Sequence, residues 1–438
     1  MHPHAALPRT AMPTTSRRRF LATLAATPLL SPTLHALVPP WRADITAFGA
    51  IGDGKTLNTK TIQAAIDKTA TMQVGIVVGP RGTFVTGALF FKPGVSLHLS
   101  EGAVLQASTD LTNFPVQPTR VEGHSVQFNP ALINASHCDG FSITGSGTLD
   151  GAGRPVWDLF WKLRNAAPDP HNFPNLGLPR ARMAFIEHSR NVSIDGITFK
   201  DSQFWNLHLY NCDGVTVRNT RFVVPDDYHQ APSTDGIDID SSRNVTVDGC
   251  FFSVTDDCIA AKGSKGPHAT EDHDSPPVEH IRIRNCTYKR GGGVFTIGSE
   301  ATLVRDVVIE DCTIVGHVRI ATLKLRPDTP QHYEDITFRN ITSTATAGPI
   351  ISVQPWTQYF DLKGEAPPKS IVRNVQLIGI KGHYSAFGIL RPNPGQTTIT
   401  GVTFKDINAQ LDDPKLDTKD TTDLRFDNVI VNGKPQSA

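Results

Sequence analysis

A short frame recurs nine times after residue 190, and it constrains the fold more than any other feature. It reads apolar, any residue, apolar, any residue, then Gly, Asn or Asp, then a small or apolar residue. The copies begin at Val192, Val215, Val245, Ile281, Val307, Ile336, Val375, Val402 and Leu424. Alternating apolar residues predict a short strand with one buried face. Gly, Asn and Asp tolerate the left-handed backbone of a tight corner.

The spacing of the frame predicts how the units assemble. Starts from Val192 to Val402 lie on average 30 residues apart. A unit of this size cannot bury its own apolar face, so successive units must stack. The sequence therefore predicts an all-β, single-stranded parallel β-helix, with earlier units near Val95 and Phe141. The segment 58–70 has apolar and small residues at helical spacing and is predicted to cap the N-terminal end: Ile62, Ala65, Ile66 and Thr69.

The chain has six cysteines, and three of them share one column of the frame: Cys250, Cys286 and Cys312. Other copies carry Ile, Thr or Val in that column, so we expect a buried ladder of free thiols and no disulfides among them. No Cys/His spacing typical of a zinc site is present.

The N-terminus has the pattern of an export signal. Three arginines at 17–19 precede Phe20 and Leu21, and an apolar stretch continues to Leu30. This resembles a twin-arginine signal peptide, residues 1–36, cleaved after Ala36; the alternative is a disordered basic tail. Residues 37–438 then form a single β-helix domain. Removing residues 1–36 removes four arginines and no acid, which changes the net charge from zero to −4. The export signal implies a periplasmic or secreted protein.

The charge balance excludes other classes of protein. The chain has 42 basic and 42 acidic residues, and a nucleic-acid binder needs a basic patch. No apolar run reaches the ~18 residues of a membrane span. We expect a monomer that binds neither nucleic acid nor membrane.

Acidic residues concentrate where the frame is interrupted. Asp235 lies 21 residues before Asp256, and Asp257 follows. This interval is close to one coil, so we expect the three carboxylates on adjacent coils ~4.8 Å apart. Such proximity raises at least one pKa, which suits a hydrolase that needs a protonated acid and an ionised base. The alternative for the Asp pair alone is a solvated turn. Asp238 and Asp240 are expected at a strand edge or in a turn, with calcium binding only a weak alternative.

Three further features concern a ligand. The glycine triplet 291–293 precedes a strand and allows a ligand to approach the backbone closely. Lys324 alternates with apolar neighbours and is predicted to face the same groove, where a cation suits an acidic sugar; the alternative is a solvated outer face. The loop 262–280 leaves the coil just after Asp257 and is expected to wall the cleft. Packing, rather than sugar stacking, is expected of four tryptophans: Trp157, Trp161, Trp205 and Trp356.

These motifs together resemble the glycoside hydrolase family 28, the polygalacturonase family. Its pattern is Asn-Thr-Asp, Asp-Asp, Gly-His-Gly and Arg-Ile-Lys on successive coils of a right-handed β-helix. The corresponding segments here are Ser233-Thr234-Asp235, Asp256-Asp257, Gly291-Gly292-Gly293 and Thr322-Leu323-Lys324. The likeness extends over nearly all of residues 37–438.

The resemblance implies a mechanism and a substrate. Asp256 is then the general acid, while Asp235 and Asp257 hold and deprotonate the water. The reaction is a single displacement with inversion, for which the carboxyl groups lie ~6.5–9.5 Å apart. Lys324 contacts the substrate carboxylate. The implied substrate is a galacturonic-acid-containing plant polysaccharide, and no metal or organic cofactor is implied.

This sequence departs from the family pattern at three positions. Gly292 replaces the family's His, Ser233 replaces its Asn, and Thr322 replaces its Arg. Substrate contacts are expected from Ser233, Gly292, Lys262, Lys324 and Arg326. We expect Arg319 or Arg326 to supply the missing cation, and His317 the missing imidazole.

Several alternatives stay open from the sequence. One is a pectate-lyase-like enzyme that uses calcium and β-elimination. Another is a β-helix that binds acidic polysaccharide without turnover. Within the hydrolases, the action is either endo or exo, and the substrate is homogalacturonan or rhamnogalacturonan.

Overall fold

The computed structural model describes residues 41–170 and 173–437. The predicted signal peptide, residues 1–36, lies outside this part of the chain. Within the described residues, no helix combines the length and apolar character that a membrane span requires.

Parallel pairing between successive coils arranges most strands in three rows, here called faces one, two and three. Face one contains Trp41–Asp44, Gly75–Gly79, Val95–Leu99, Ser142–Gly145, Arg190–Asp195, Asp213–Arg218, Arg243–Asp248, Val278–Arg284, Leu303–Ile314, His332–Ala347, Ser370–Ile378, Thr397–Thr418 and Thr421–Val431. Face two contains Asp53–Leu57, Gly82–Thr86, Ala103–Ala107, Thr148–Asp150, Thr198–Lys200, Arg221–Val223, Phe251–Ser253 and Thr287–Arg290, and it continues in the later parts of the long strands of face one. Face three contains Leu89–Phe91, Ile133–Ser136, Ala184–Glu187, Leu207–Tyr210, Ile237–Asp240, Ile259–Lys262, Gly293–Ile297, Arg319–Leu325, Ile351–Pro355 and Lys381–Leu390.

The recurring frame sets the register of face one. Val192 pairs with Val215, and the first positions of all nine copies continue in register to Leu424. The Gly, Asn or Asp of every copy has a positive φ, between 49° at Asn219 and 78° at Gly196. The prediction of stacked units with tight corners is confirmed.

The interior of the coils is filled by ladders of like residues. Phe199, Phe222, Phe252 and Tyr288 stack in sequence, with ring centroids 4.9, 5.1 and 5.1 Å apart. All six cysteines are buried and free, and Cys250, Cys286 and Cys312 have the buried positions that the sequence predicts for them.

Two α-helices flank the coils. Helix α1, Thr59–Ala70, packs against the first strands of the coils. The four residues predicted to form its buried face are all buried: Ile62, Ala65, Ile66 and Thr69. Helix α2, Arg154–Ala166, has Pro155 at its first turn, where a missing N–H costs nothing. It buries Val156, Trp157 and Phe160. Short 3₁₀ segments occupy Ile45–Phe48, Leu111–Asn113, Asn175–Gly177 and Ala269–Glu271.

Two antiparallel pairs complete the strands. Lys434–Pro435 pairs with the last strand of face one. Gln117–Val121 and His124–Phe128 form a hairpin, here called the covering hairpin, that is separate from the coils. Arg120 of this hairpin reaches Asp240 on face three, with Nε 3.2 Å from Oδ2. The outer surface of face three is therefore covered at this point.

Candidate active site

The three acids at 235, 256 and 257 lie together on adjacent coils of face three. Gly236 N donates to Asp257 O at 2.9 Å, so Asp235 lies directly beside Asp257. One carboxylate oxygen from each acid lies within 4.8 Å of the others. The predicted registration of one coil is confirmed. These nearest oxygens are closer together than the separation of ~6.5–9.5 Å that is expected between the carboxyl groups.

The acids line a cavity of about 440 Å³ on the outer side of face three. Asp235 and Asp257 are each 3% exposed, whereas Asp256 is only partly buried. Asp256 is thus the most accessible of the three to a ligand in this cavity.

Asp257 has a donor on each carboxylate oxygen. Thr296 Oγ1 donates to Oδ1 at 2.8 Å, and Lys324 Nζ donates to Oδ2 at 2.8 Å. Burial alone would raise the pKa of Asp257, but the positive charges of Lys324 and Lys262 and these two hydrogen bonds lower it below its ordinary value. Asp257 is therefore an ionised and fixed acceptor.

Asp235 and Asp256 have the opposite tendency. Burial, and then the neighbouring charges of Asp256 and Asp238, raise the pKa of Asp235 well above its ordinary value. Burial, and then the charge of Asp257, raise the pKa of Asp256. The raised pKa values of Asp235 and Asp256 agree with the expectation that at least one of the three acids has a raised pKa. The arrangement provides a carboxyl that keeps its proton beside a carboxylate that does not.

The ammonium group of Lys262 lies close to three carboxyl groups. Nζ is 3.8 Å from Asp235, 3.7 Å from Asp238 and 3.7 Å from Glu300. It also donates to Gly298 O at 3.3 Å. Burial would lower the pKa of Lys262, but Asp235 and Glu300 raise it well above its ordinary value. Lys262 lines the cavity and compensates the buried negative charge around it.

The expectation that Asp238 and Asp240 lie at a strand edge or in a turn is wrong. Both are within the strand Ile237–Asp240 and are at most 1% exposed. Asp240 accepts from Arg120, and Asp240 Oδ2 lies 3.3 Å from His208 Nε2. Burial would raise the pKa of Asp240, but Arg120 and His208 lower it to about 2. Arg120 of the covering hairpin covers Asp240 on the outer side of face three, so this carboxylate is buried in the middle of the protein surface and not at an edge.

Asp238 is a buried neighbour of the site, and the sequence did not predict its environment. Among residues 41–170 and 173–437, neither of its carboxylate oxygens has a hydrogen-bond partner. Burial raises the pKa of Asp238 to about 8, against the attraction of Lys262. Its only sequence signal was its position three residues after Asp235.

The replaced family positions have different environments. A Cβ on Gly292 would lie 2.7 Å from Asp257 Oδ1, so no side chain fits there while Asp257 keeps this orientation. The hydroxyl of Thr322 is buried and has no hydrogen-bond partner in the part of the chain that the structure describes. Ser233 lines the cavity and donates to Asn175 Oδ1 at 2.9 Å.

Of the residues predicted to replace the missing family groups, Arg326 lines the cavity. Lys324, the predicted substrate contact, lines it as well. Arg326 Nε donates to Asp328 Oδ1 at 2.8 Å. Arg319 and His317 are exposed and do not line the cavity, so the structure does not bring them to the acids.

The expectation of packing is right for Trp157, which is fully buried. Trp161 and Trp356 are partly exposed and line the cavity, and Trp161 also packs against the cluster of Val156, Phe160 and Leu178. Trp205 is 3% exposed and does both. Lys324 Nζ lies 4.8 Å from the centroid of the Trp356 ring, an orientation typical of a cation–π contact.

The three acids are also a group that could offer oxygens to a metal ion. Lys324 and Lys262 already place two ammonium groups beside them, 2.8 Å from Asp257 and 3.8 Å from Asp235. These ammonium groups supply the charge compensation that a cation would otherwise provide.

Comparisons with known proteins identify related sequences and structures. The model of "Glycosyl hydrolases family 28" matches residues 101–425. An exopolygalacturonase of Zea mays is 26% identical over 84% of this chain and 83% of its own length. A "Probable polygalacturonase" of Vitis vinifera is 27% identical over 68% of this chain, which spans only 60% of that relative's length. A solved exopolygalacturonase of Thermotoga maritima superposes with a TM-score of 0.77 at 22% identity, covering 91% of this chain and 93% of that one. The fold is that of the right-handed parallel β-helix.

Proposed function

The chain belongs to glycosyl hydrolases family 28, and we propose that it cleaves α-glycosidic bonds of galacturonic-acid-containing pectic polysaccharide or oligosaccharide with inversion. The observation that carries the proposal is the group of three carboxylates beside two ammonium groups in one cavity. Carboxyl pairs with divergent pKa values supply the acid and the base of glycoside hydrolysis. The inverting outcome is taken from the family.

Asp256 is the proposed general acid. A general acid must reach the glycosidic oxygen and be protonated before the bond breaks. Asp256 is the most exposed of the three acids, and its pKa is raised. Its proton passes to the leaving oxygen as the bond to the anomeric carbon breaks.

Asp235 and Asp257 are proposed to hold the attacking water. A water that donates two hydrogen bonds of ~2.8 Å reaches acceptors about 4.5 Å apart, and the site's oxygens lie within 4.8 Å of one another. The ionised Asp257 takes the proton of this water as its oxygen attacks the anomeric carbon. No metal or organic cofactor takes part in these steps.

Lys324 is the proposed contact for the substrate carboxylate. Its side chain is 14% exposed and lies between Asp257 and Trp356 at the cavity surface. Ser233, Lys262 and Arg326 line the same cavity and complete the proposed substrate-binding set. Gly292 contributes the space beside Asp257.

We also propose that the protein is exported as a monomer to the periplasm or beyond by the twin-arginine route. The arginines at 17–19 and the apolar stretch after them support this, and a polysaccharide substrate is found outside the cell. Replacing Arg17 and Arg18 by Lys and fractionating the cells tests the route: precursor is expected to accumulate inside.

Proton NMR of the purified enzyme with de-esterified galacturonan oligosaccharides tests the function. Fresh product with inverted anomeric configuration, absent with Asp256→Asn, is expected. Unsaturated product and chelator sensitivity would indicate a lyase, and retained configuration would contradict inversion.

A second substrate distinguishes the remaining alternatives. Turnover of rhamnogalacturonan but not homogalacturonan would change the substrate class. Binding of acidic polysaccharide by both forms, with no product from either, would indicate a binding protein.

A further inference from the structure

Four segments that lie outside the strands of face three contribute side chains to the lining of the acidic cavity. They are the covering hairpin and residues 173–180, 263–275 and 356–361. Each contributes to the lining of the cavity, through Glu122, Asn175, Lys265 and Tyr359 respectively.

Glu122, at the tip of the covering hairpin, joins two of the other segments. Its Oε1 accepts from Asn175 Nδ2 at 2.9 Å, and its Oε2 lies 3.5 Å from Lys265 Nζ. Asn175 in turn accepts from Ser233 at 2.9 Å and from Arg180 at 3.0 Å. The hairpin tip is therefore linked to the coil that carries Asp235.

The turn of the hairpin packs directly against the segment 263–275. A Cβ at Gly123 would lie 2.8 Å from Gly263 O and 3.1 Å from Lys265 N. Only glycine allows this approach, and the φ of 77° at Gly123 favours glycine as well. The hairpin is seated as a fixed wall.

A second hydrogen bond joins two other segments that contribute to the lining of the cavity. Tyr359 OH donates to Phe173 O, which joins two loops 186 residues apart in the chain. Arg326 holds the loop that carries Tyr359, because its guanidinium donates to Gln358 O at 3.2 Å and to Tyr359 O at 3.0 Å. Asp328 neutralises Arg326 and accepts from Asp361 N at 2.7 Å.

The geometry points to an exo-acting enzyme, whose cavity admits only the end of a polysaccharide chain. A groove open at both ends can bind the middle of a polymer. Here segments from distant parts of the chain that line the cavity are joined to one another by the Glu122–Asn175 and Tyr359–Phe173 hydrogen bonds. In this assignment the joined segments close one end of the cavity, and a polysaccharide chain does not extend past them. This inference rests on the proposed function and adds the mode of attack to it.

The test measures product lengths and viscosity together, with polygalacturonate and with a galacturonan oligosaccharide labelled at its reducing end. One short product from the earliest time, a labelled ladder that shrinks stepwise, and slow loss of viscosity per bond cleaved are expected. Products of many lengths at early times would overturn the inference and leave the proposed hydrolase intact. Absence of any cleavage of pectic substrates would overturn the proposed function, and the inference with it.

A double variant, Glu122→Ala with Tyr359→Ala, tests the wall itself. Because both links are removed, products of intermediate length are expected to appear, a gain that loss of stability cannot produce. The matched control is Glu101→Ala, an exposed acid on an early coil, which keeps the single product. A folded double variant that still releases one product length would overturn the assignment of the wall to these residues.

Discussion

Thr296→Val removes the hydroxyl that donates to Asp257 Oδ1 at 2.8 Å and keeps the shape of the side chain. Hydrogen bonds to charged groups contribute ~1.5–3 kcal/mol, and ~1.4 kcal/mol corresponds to a tenfold change in rate. We therefore expect kcat/KM to fall between about 10-fold and about 150-fold. Lys324 still holds the other oxygen at 2.8 Å, so activity is not abolished.

The same substitution changes the pH dependence in a definite direction. The pKa of Asp257 is lowered in the folded enzyme, partly by this hydrogen bond. The proposed base must be ionised, so activity is lost as the pH falls through this pKa. Removing the hydroxyl raises the pKa of Asp257, and the acidic limb of the kcat/KM profile moves to higher pH.

The assay is kcat/KM on galacturonan oligosaccharides across the acidic pH range. Thr322→Val is the matched control, because Thr322 pairs with Thr296 on the adjacent strand and its buried hydroxyl has no partner. Thr296→Ser should retain most of the activity. If Thr296→Val matched Thr322→Val in rate and in its acidic limb, the role given to this hydrogen bond would be refuted.

Three further predictions concern neighbouring residues. Gly292→Ala places a Cβ 2.7 Å from Asp257 Oδ1, so kcat should fall at least about tenfold while Tm, measured beside the control Gly263→Ala, changes little. Lys262→Met leaves three buried acids without their ammonium. The free energy of unfolding, measured by urea titration, should fall by about 3–5 kcal/mol at pH 7 and by less at pH 5. An equal loss at both pH values would contradict this prediction. Asp238→Asn removes a group whose folded pKa of about 8 exceeds its ordinary 3.8, so the wild type should lose stability relative to this variant as the pH rises from about 4 to about 8, and parallel stability curves would count against it.

The fold could be predicted because its main determinant is local and repeated. The frame that begins at Val192 sets strand, corner and register in one short pattern, and each coil repeats it on its neighbour. The same register placed Asp235 beside Asp257, since 21–22 residues complete one bare coil. Helix α1 followed from ordinary helical spacing.

The environment of the site could not be predicted because it comes from distant segments. Asp240 alternates with buried isoleucines and should face solvent, yet Arg120, 120 residues earlier, covers it. Trp356 directly follows the face-three strand Ile351–Pro355 and reaches the cavity beside Lys324, which no local pattern indicates. The substitutes proposed for the missing family groups were chosen by proximity in sequence, and of these only Arg326 reaches the cavity.

The position of the acids along the stack has a consequence for how the enzyme loses activity. Stability in a solenoid is a sum of nearest-neighbour interfaces, so unfolding begins by fraying at the ends. The acids come just before the strands Ile237–Asp240 and Ile259–Lys262, and these two strands have four face-three strands before them and four after. Terminal coils can therefore open while this one interface stays closed. Heat inactivation then reports the rupture of a single internal junction, later than the first loss of β-structure.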